Sequence, residues 1–230
     1  MSFIQEGFQT AFRLIFSFDR EVFRIVLFSL RVSSTAIIFA SLVGIPLGFL
    51  LGVKEFWGKK FIVVLANNAL ALPTVVVGLV IYSFISRVGP MGYFGLLYTP
   101  TAVIIGQFVL SMPIIIALTH SAIQGIDVKV RRTALTLGAT EIQAAWSVIK
   151  EARYAVMSAV IAGFGRIIAE VGSAMMLGGN IKGTTRTMTT AISLETSKGE
   201  FGFGIALGII LLLISLSINI LLGFLQSRKV

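Results

Sequence analysis

An all-α integral membrane bundle of about five transmembrane helices is the fold this sequence predicts, and three observations predict it. Hydrophobic residues make up 56% of the 230-residue chain and charged residues only 13%, where an ordinary soluble domain carries about a quarter. Mean hydropathy is +0.96. The apolar residues are gathered into uncharged runs, each long enough to cross a bilayer, which takes about 20 helical residues. A chain of this length holds about five or six such runs as a single bundle, with no room for a separate soluble domain.

Ser2–Arg24 opens the chain with Phe8, Phe12, Ile15 and Phe16 at helical spacing among Gln5, Glu6, Gln9 and Arg13. That segment is too short and too polar to span, and predicts an amphipathic interfacial helix. No basic segment followed by an apolar core and a cleavage site stands there, so no cleaved signal peptide is expected.

The first span is placed at about residues 25–53, around the uncharged run Val32–Val53. Gly44, Gly48 and Gly52 allow close helix contact, and Pro46 can kink it. The second covers about 61–87 and contains Asn67, Asn68, Pro73 and Thr74. Two adjacent asparagines cost free energy in a span unless they meet partners, and hydrogen bonding between helices is the plain reading. Pro73 frees a carbonyl, tolerable where protein or a watery cavity accepts it.

The third span, about 99–124, is interrupted at Ser111-Met112-Pro113 and holds the single histidine, His120. With no other His or nearby carboxylate in sequence, no metal or catalytic role is assigned to it. The fourth, about 154–177, contains Arg166 and Glu170, four residues apart on one helix face and able to pair. An intramembrane ion pair is a functional candidate, yet a pair neutralised within one helix can equally serve only to fix the bundle. Gly178–Glu200 is polar and Thr-rich and reads as a loop with room for a re-entrant or surface helix, and the fifth span is placed at about 202–226.

Between spans three and four the chain leaves the lipid, from Asp127 to Arg153. Asp127 can cap a helix from Val128 to about Leu137, and Gly138 suits its end. Thr140-Glu-Ile-Gln143 is a capping box for a second helix, with Ile142, Ala145, Trp146 and Ile149 on one face. A helix–Gly–helix element lying against the membrane is predicted. With this loop cytoplasmic, the N-terminus lies outside and the C-terminus inside. Ten basic residues, Arg228 and Lys229 among them, then face the cytoplasm and eight the outside, the sense of the positive-inside rule.

The net charge of +9 does not point to nucleic acid, because the basic residues flank apolar segments. The absence of cysteine excludes disulfides and thiolate metal sites. Neither paired carboxylates nor His-rich metal spacing supports an intramembrane enzyme. With its apolar face and basic rim, the helix–Gly–helix pair reads as a docking element, or as an interfacial pair with no partner. A passive anion channel would not need a cytoplasmic docking element.

At the central loop the chain resembles importer-type ABC permeases, whose pattern is Glu-Ala-Ala, three residues, Gly, nine residues, then Ile-x-Leu-Pro. Here Arg132-Thr133-Ala134, Gly138 and Val148-Ile149-Lys150-Glu151 occupy those positions. The Ala and Gly match, while Arg132 replaces Glu and Lys150-Glu151 replaces Leu-Pro. Stretches such as SLRVSSTA (29–36), LALPTVVVGLVIY (70–82) and GFGRIIAEVGSAMMLGGN (163–180) carry a wider resemblance to the tungstate branch of the molybdate/sulfate permeases. In that branch a Glu-Ala-Arg ending replaces Leu-Pro, as Glu151-Ala152-Arg153 does here.

The resemblance implies a homodimer in a prokaryotic inner membrane, importing tungstate, with molybdate or sulfate as the alternative. It further implies two cytoplasmic ABC ATPases gripping the loop and an extracytoplasmic binding protein delivering the oxyanion. ATP and magnesium would bind the ATPases, leaving no cofactor, metal or catalytic residue in this chain. Ala134, Leu135, Gly138, Ala139, Glu141, Ile142 and Trp146 are then the residues expected to couple to the ATPase. Thr74, Ser111, Arg166, Glu170, Ser173 and Asn180 are candidates for the translocation pathway. The chain lacks a Gly-x-x-x-x-Gly-Lys-Ser/Thr phosphate loop and cannot hydrolyse ATP by that route.

Overall fold

The computed structural model describes residues 3–227, and these form ten α-helices, one short 3-10 turn and no strand. Arg228 and Lys229, counted above for orientation, lie outside the described residues.

Helix α1 (Phe3–Phe16) packs along α10 (Phe201–Ser227) through small residues. A methyl group on Gly202 would stand 2.7 Å from Thr10, and one on Gly7 would stand 3.0 Å from Ile205. Ala11 is fully buried. The stripe Phe8, Phe12 and Phe16 is exposed, pointing away from the bundle, as an interfacial helix in lipid requires. The chain turns at Phe18, and the Asp19 carboxylate accepts from the N–H groups of Glu21 and Val22 to start α2 (Arg20–Val53).

At 34 residues α2 is longer than the span expected from residue 25, and Pro46 lies within it without ending it. It packs most extensively against α5 (Pro100–Gln124). Gly44, Gly48 and Gly52, one turn apart, let Ile115, Ile116, Thr119 and Ile123 of α5 approach its backbone. A methyl on Gly48 would stand 2.7 Å from both the Ile116 carbonyl oxygen and Thr119 Cβ. Backbone cannot yield as a side-chain tip can. Gly48→Leu is therefore expected to destabilise the bundle by about 2–3 kcal/mol and lower the yield of folded protein extracted in mild detergent. Gly208→Ala, where the added carbon meets nothing, should leave that yield unchanged.

The second span is not one helix. Helix α3 (Lys59–Ala69) and α4 (Thr74–Ile85) meet at 104°. Pro73 has no N–H, and the residue before a proline avoids the helical region. Leu70, Ala71 and Leu72 close α3 by donating three residues back, and the Pro73 carbonyl accepts from Val76 and Val77. The carbonyl that Pro73 leaves without its usual donor, that of Ala69, accepts the Leu72 N–H at 3.4 Å instead. Asn67 and Asn68 are exposed, and neither side chain finds a hydrogen-bond partner within the described chain. The expected bonding between helices is not met inside one copy.

After α5 come α6 (Val128–Thr136) and α7 (Glu141–Ile168), then α8 (Gly172–Gly178), α9 (Met188–Lys198) and α10. The fourth span also breaks: α7 and α8 meet at 62° across Ala169–Val171. Three helices, α2, α5 and Phe201–Leu221 of α10, are long and apolar enough to cross a membrane, and up to five segments are if each bent pair forms one span. Ala36, Ile37, Ala40, Ile115 and Ile167 fill the centre where α2, α5 and α7 meet. Val22, Ile25, Ile168, Met188 and Leu207 fill the end nearest α9 and α10.

Candidate functional site

Two places in this bundle hold groups able to do work. The first is the turn between α6 and α7. Asp127 accepts from Lys129 N–H at 2.9 Å and starts α6. Its end is a full Schellman motif: Gly138 N–H donates to the Leu135 carbonyl and Ala139 N–H to the Ala134 carbonyl, each at 3.0 Å. Gly138 has φ +86°, the left-handed region such a cap demands. Thr140 and Gln143 then cap each other's backbone to open α7. One residue, Ala139, separates the two caps, so the turn is fixed by local bonds alone. Arg131 pairs with Glu141 across it, an exposed pair of small energetic weight. Val130 and Ile126 pack on Val148, Ala152 and Ile123, seating α6 on the bundle.

The second helix of this element does not lie on the membrane as a separate piece. It is the first part of α7, which runs unbroken for 28 residues into the bundle. Ala144, Val148, Ala152, Val156, Ala159 and Gly163 recur every three or four residues and bury one continuous face, so nothing stops the helix at the expected boundary. Of the residues expected to meet a partner, Ile142 is 83% and Trp146 58% exposed, and Glu141 is open as well. Ala134, Leu135 and Ala139 are half-buried and shape the turn. Leu137, 82% exposed, is a further open apolar residue of this turn and was missed, since its place before the cap glycine marked it as a helix end. No atom lies within 4 Å of a carbon added to Gly138, so the chain itself leaves this edge open.

The second place is the break between α7 and α8, where Thr74, Arg166, Glu170 and Ser173 come together. Glu170, 3% exposed, lies past the end of α7 rather than within a span helix. Its Oε2 still receives Arg166 Nη1 at 3.2 Å. Its Oε1 accepts the Ser173 N–H at 3.0 Å, and its backbone carbonyl accepts Thr189 Oγ1 at 2.6 Å. Gln107 Nε2 of α5 donates to the Ile167 carbonyl at 3.2 Å. The break is thus tied to α5, α7, α8 and α9 at once. A methyl on Gly172 would lie 3.0 Å from Thr74 Oγ1 and 3.3 Å from Glu170 Oε1, and one on Gly78 would lie 3.0 Å from Ser173 Cα. Small residues thereby bring α4 and α8 into backbone contact.

Ser173 Oγ and Gln107 Oε1 are buried there without a partner in this chain, while Arg166 is 48% exposed. The group therefore offers a cation and unmet polar atoms at a helix break. Gln107 and Thr189 were missed because they are single polar residues separated by long sequence distances. Ser111 stands apart: it is fully buried and donates to the Gln107 and Phe108 carbonyls of its own helix. Asn180, at φ +50°, donates to the Thr190 carbonyl and fixes the α8–α9 loop. Neither joins the group at the break.

Comparison with known proteins bears on what the two places do. The family model described as "Binding-protein-dependent transport system inner membrane component" matches residues 44–230. The chain is 42% identical to the tungstate uptake system permease protein TupB of Peptoclostridium acidaminophilum, covering 98% of this chain and 99% of that one. It is 45% identical to the protein of the same name from Campylobacter jejuni, over 96% and 92%. Identity to the molybdenum transport system permease protein ModB of Escherichia coli K12 is 31%, over 77% and 82%. The fold matches a chain of the MetNI methionine ABC transporter with TM-score 0.71 at 17% identity, covering 94% and 97%. An all-helical bundle of this topology, matched over most of its length by one family, belongs to the binding-protein-dependent transport system inner membrane components.

Proposed function

We propose that this chain is the permease subunit of an ABC importer for tungstate. The observation that carries its driven character is the open apolar surface of Leu137, Ile142 and Trp146, set on a locally capped turn at one end of a membrane bundle. Exposed apolar patches of this kind mark partner sites. Two cytoplasmic ATPases bind there and hold the ATP and magnesium; this chain supplies neither catalytic group nor cofactor. Because α7 is continuous, movement at Glu141 is transmitted as a rigid rod to Arg166 and the break beyond it, the rigid-body step by which such transporters alternate access.

Two copies of the chain enclose the pathway. The exposed asparagines and apolar residues of α3 and α4 supply surface for that pairing. A binding protein delivers the anion on the side opposite the coupling turn. Thr74, Arg166 and Ser173 offer donors to a tetrahedral dianion without a deep trap, since conduction requires weak binding.

Tungstate rather than molybdate is supported by the higher identity to permeases named for tungstate, 42–45% against 31%. Uptake of both metals by cells lacking this chain tests the assignment. Tungsten uptake is expected to fall to background while molybdenum uptake persists. Unchanged tungsten uptake with lost molybdenum uptake would make it a molybdate permease.

A further inference from the structure

A cavity of ≈ 470 Å³ lies between the first two turns of α2 and the loop joining α8 to α9. It sits at the end of the bundle opposite the coupling turn. Val53, the last residue of α2, packs near Ile123 and Val148 beside that turn, whereas Arg20 begins the same 34-residue helix, about 50 Å away.

Four cations line the cavity, Arg20, Arg24, Lys182 and Arg186, against two carboxylates, Asp19 and Glu21. Both carboxylates are engaged. Asp19 caps α2, and Glu21 holds Lys182 at 2.7 Å and Arg186 at 3.8 Å. Arg186 is only 10% exposed and also reaches Glu195 at 3.3 Å, a carboxylate it shares with Lys198 at 3.2 Å. Its Nε has no acceptor, a missing partner of the kind buried polar groups normally have. Arg20 and Arg24 are exposed and have no carboxylate within ion-pair distance among the described residues. The cavity is therefore net positive with uncommitted donors.

Its wall is preformed. Thr185 Oγ1 donates to the Gly178 carbonyl and accepts the Ile181 N–H, while the Ile181 carbonyl collects the N–H groups of Thr184, Thr185 and Arg186. Arg20, Arg24 and Phe28 lie on successive turns of one face of α2, and Phe28 and Ile25 supply an apolar side. Two arginines above an aromatic, at the membrane end of a span, fit an anionic head carried on an apolar stem.

We infer that this cavity binds a tetrahedral phosphate-type oxyanion, gripped by Arg20 and Arg24 with Arg186 behind them. Two sources share that chemistry, the headgroup of an anionic phospholipid and a free inorganic oxyanion. A bare oxyanion fills only a small part of the volume, so the apolar side gives the lipid the better fit. The inference does not depend on which ion the transporter carries.

Binding measured on the detergent-purified transporter complex, stripped of lipid, tests it with two probes, phosphatidylglycerol in neutral micelles and inorganic tungstate. Saturable binding of at least one probe is expected. The double variant Arg20→Gln/Arg24→Gln should weaken it by about tenfold or more, and Arg20→Lys/Arg24→Lys should retain most of it. Both arginines are exposed and unpaired, so neither variant disturbs the fold. Phosphatidylglycerol binding without tungstate binding identifies the lipid source, and the reverse identifies the free ion. Failure of both probes to bind, or binding indifferent to the glutamine pair, overturns the site.

Discussion

Glu170→Ala is expected to remove the side-chain tie between α7 and α8 at their break, leaving the backbone ties to α5 and α9 in place. One substitution leaves the Ser173 N–H and the Arg166 guanidinium without their acceptor. Breaking a buried pair from one side costs roughly 3–5 kcal/mol, lessened to the extent that Arg166 reaches water. For a chain of this size each kcal/mol is worth about 2–4 °C in Tm, so the fall in detergent is at most about 20 °C. Glu170→Gln separates the two roles of the carboxylate. The amide oxygen still accepts from Ser173, so this variant should fold, while the lost negative charge leaves Arg166 uncompensated and lowers uptake. Thermal unfolding of both variants beside the parent measures this. An alanine variant as stable as the parent would show that the carboxylate is not what holds the break.

Gly138→Val is expected to lower ATP-driven uptake by about tenfold while the permease remains folded in the membrane. A β-branched residue at φ +86° meets the left-handed penalty of about 1–2 kcal/mol, which lowers the population of the capped turn roughly tenfold. A Cβ added there meets nothing within 4 Å in the chain itself, so the damage is expected to centre on the turn and on whatever docks on it. Asparagine tolerates the left-handed region, and Gly138→Asn should keep substantial uptake. Equal loss in both variants would mean that space against the partner, not backbone conformation, sets the requirement for glycine. Full uptake in both would remove the turn from the mechanism.

Local chemistry made the α6–α7 turn legible in the sequence. Asp127, Gly138, Thr140 and Gln143 each act on neighbours within a few residues, and such signals survive translation into structure. Hydropathy located the apolar segments for the same reason, since each is a property of one contiguous run. What escaped were the features made by distant parts of the chain. Pro73 signalled a weakness in the second span, but the 104° between α3 and α4 depends on what each half packs against. The 62° break at Ala169–Val171 has no proline at all. There Gln107 and Thr189 donate to the carbonyls of Ile167, in the last turn of α7, and of Glu170, just past it. Arg166 and Glu170 pair as their spacing implies, yet across a helix end rather than along a helix. Spacing of four is compatible with both.

The chain has no cysteine, so a single introduced thiol reports on one position without background. Ile142→Cys and Tyr93→Cys, at positions 83% and 81% exposed, place that thiol beside the α6–α7 turn and on the connection before α5 respectively. Crosslinking from each to a copurified ATP-hydrolysing subunit tests most directly whether this bundle is driven through the α6–α7 turn. The expected result is a crosslinked ATPase from Ile142→Cys and none from Tyr93→Cys. Crosslinking from Tyr93→Cys alone, or transport-competent protein that yields no ATPase adduct from Ile142→Cys, would contradict it.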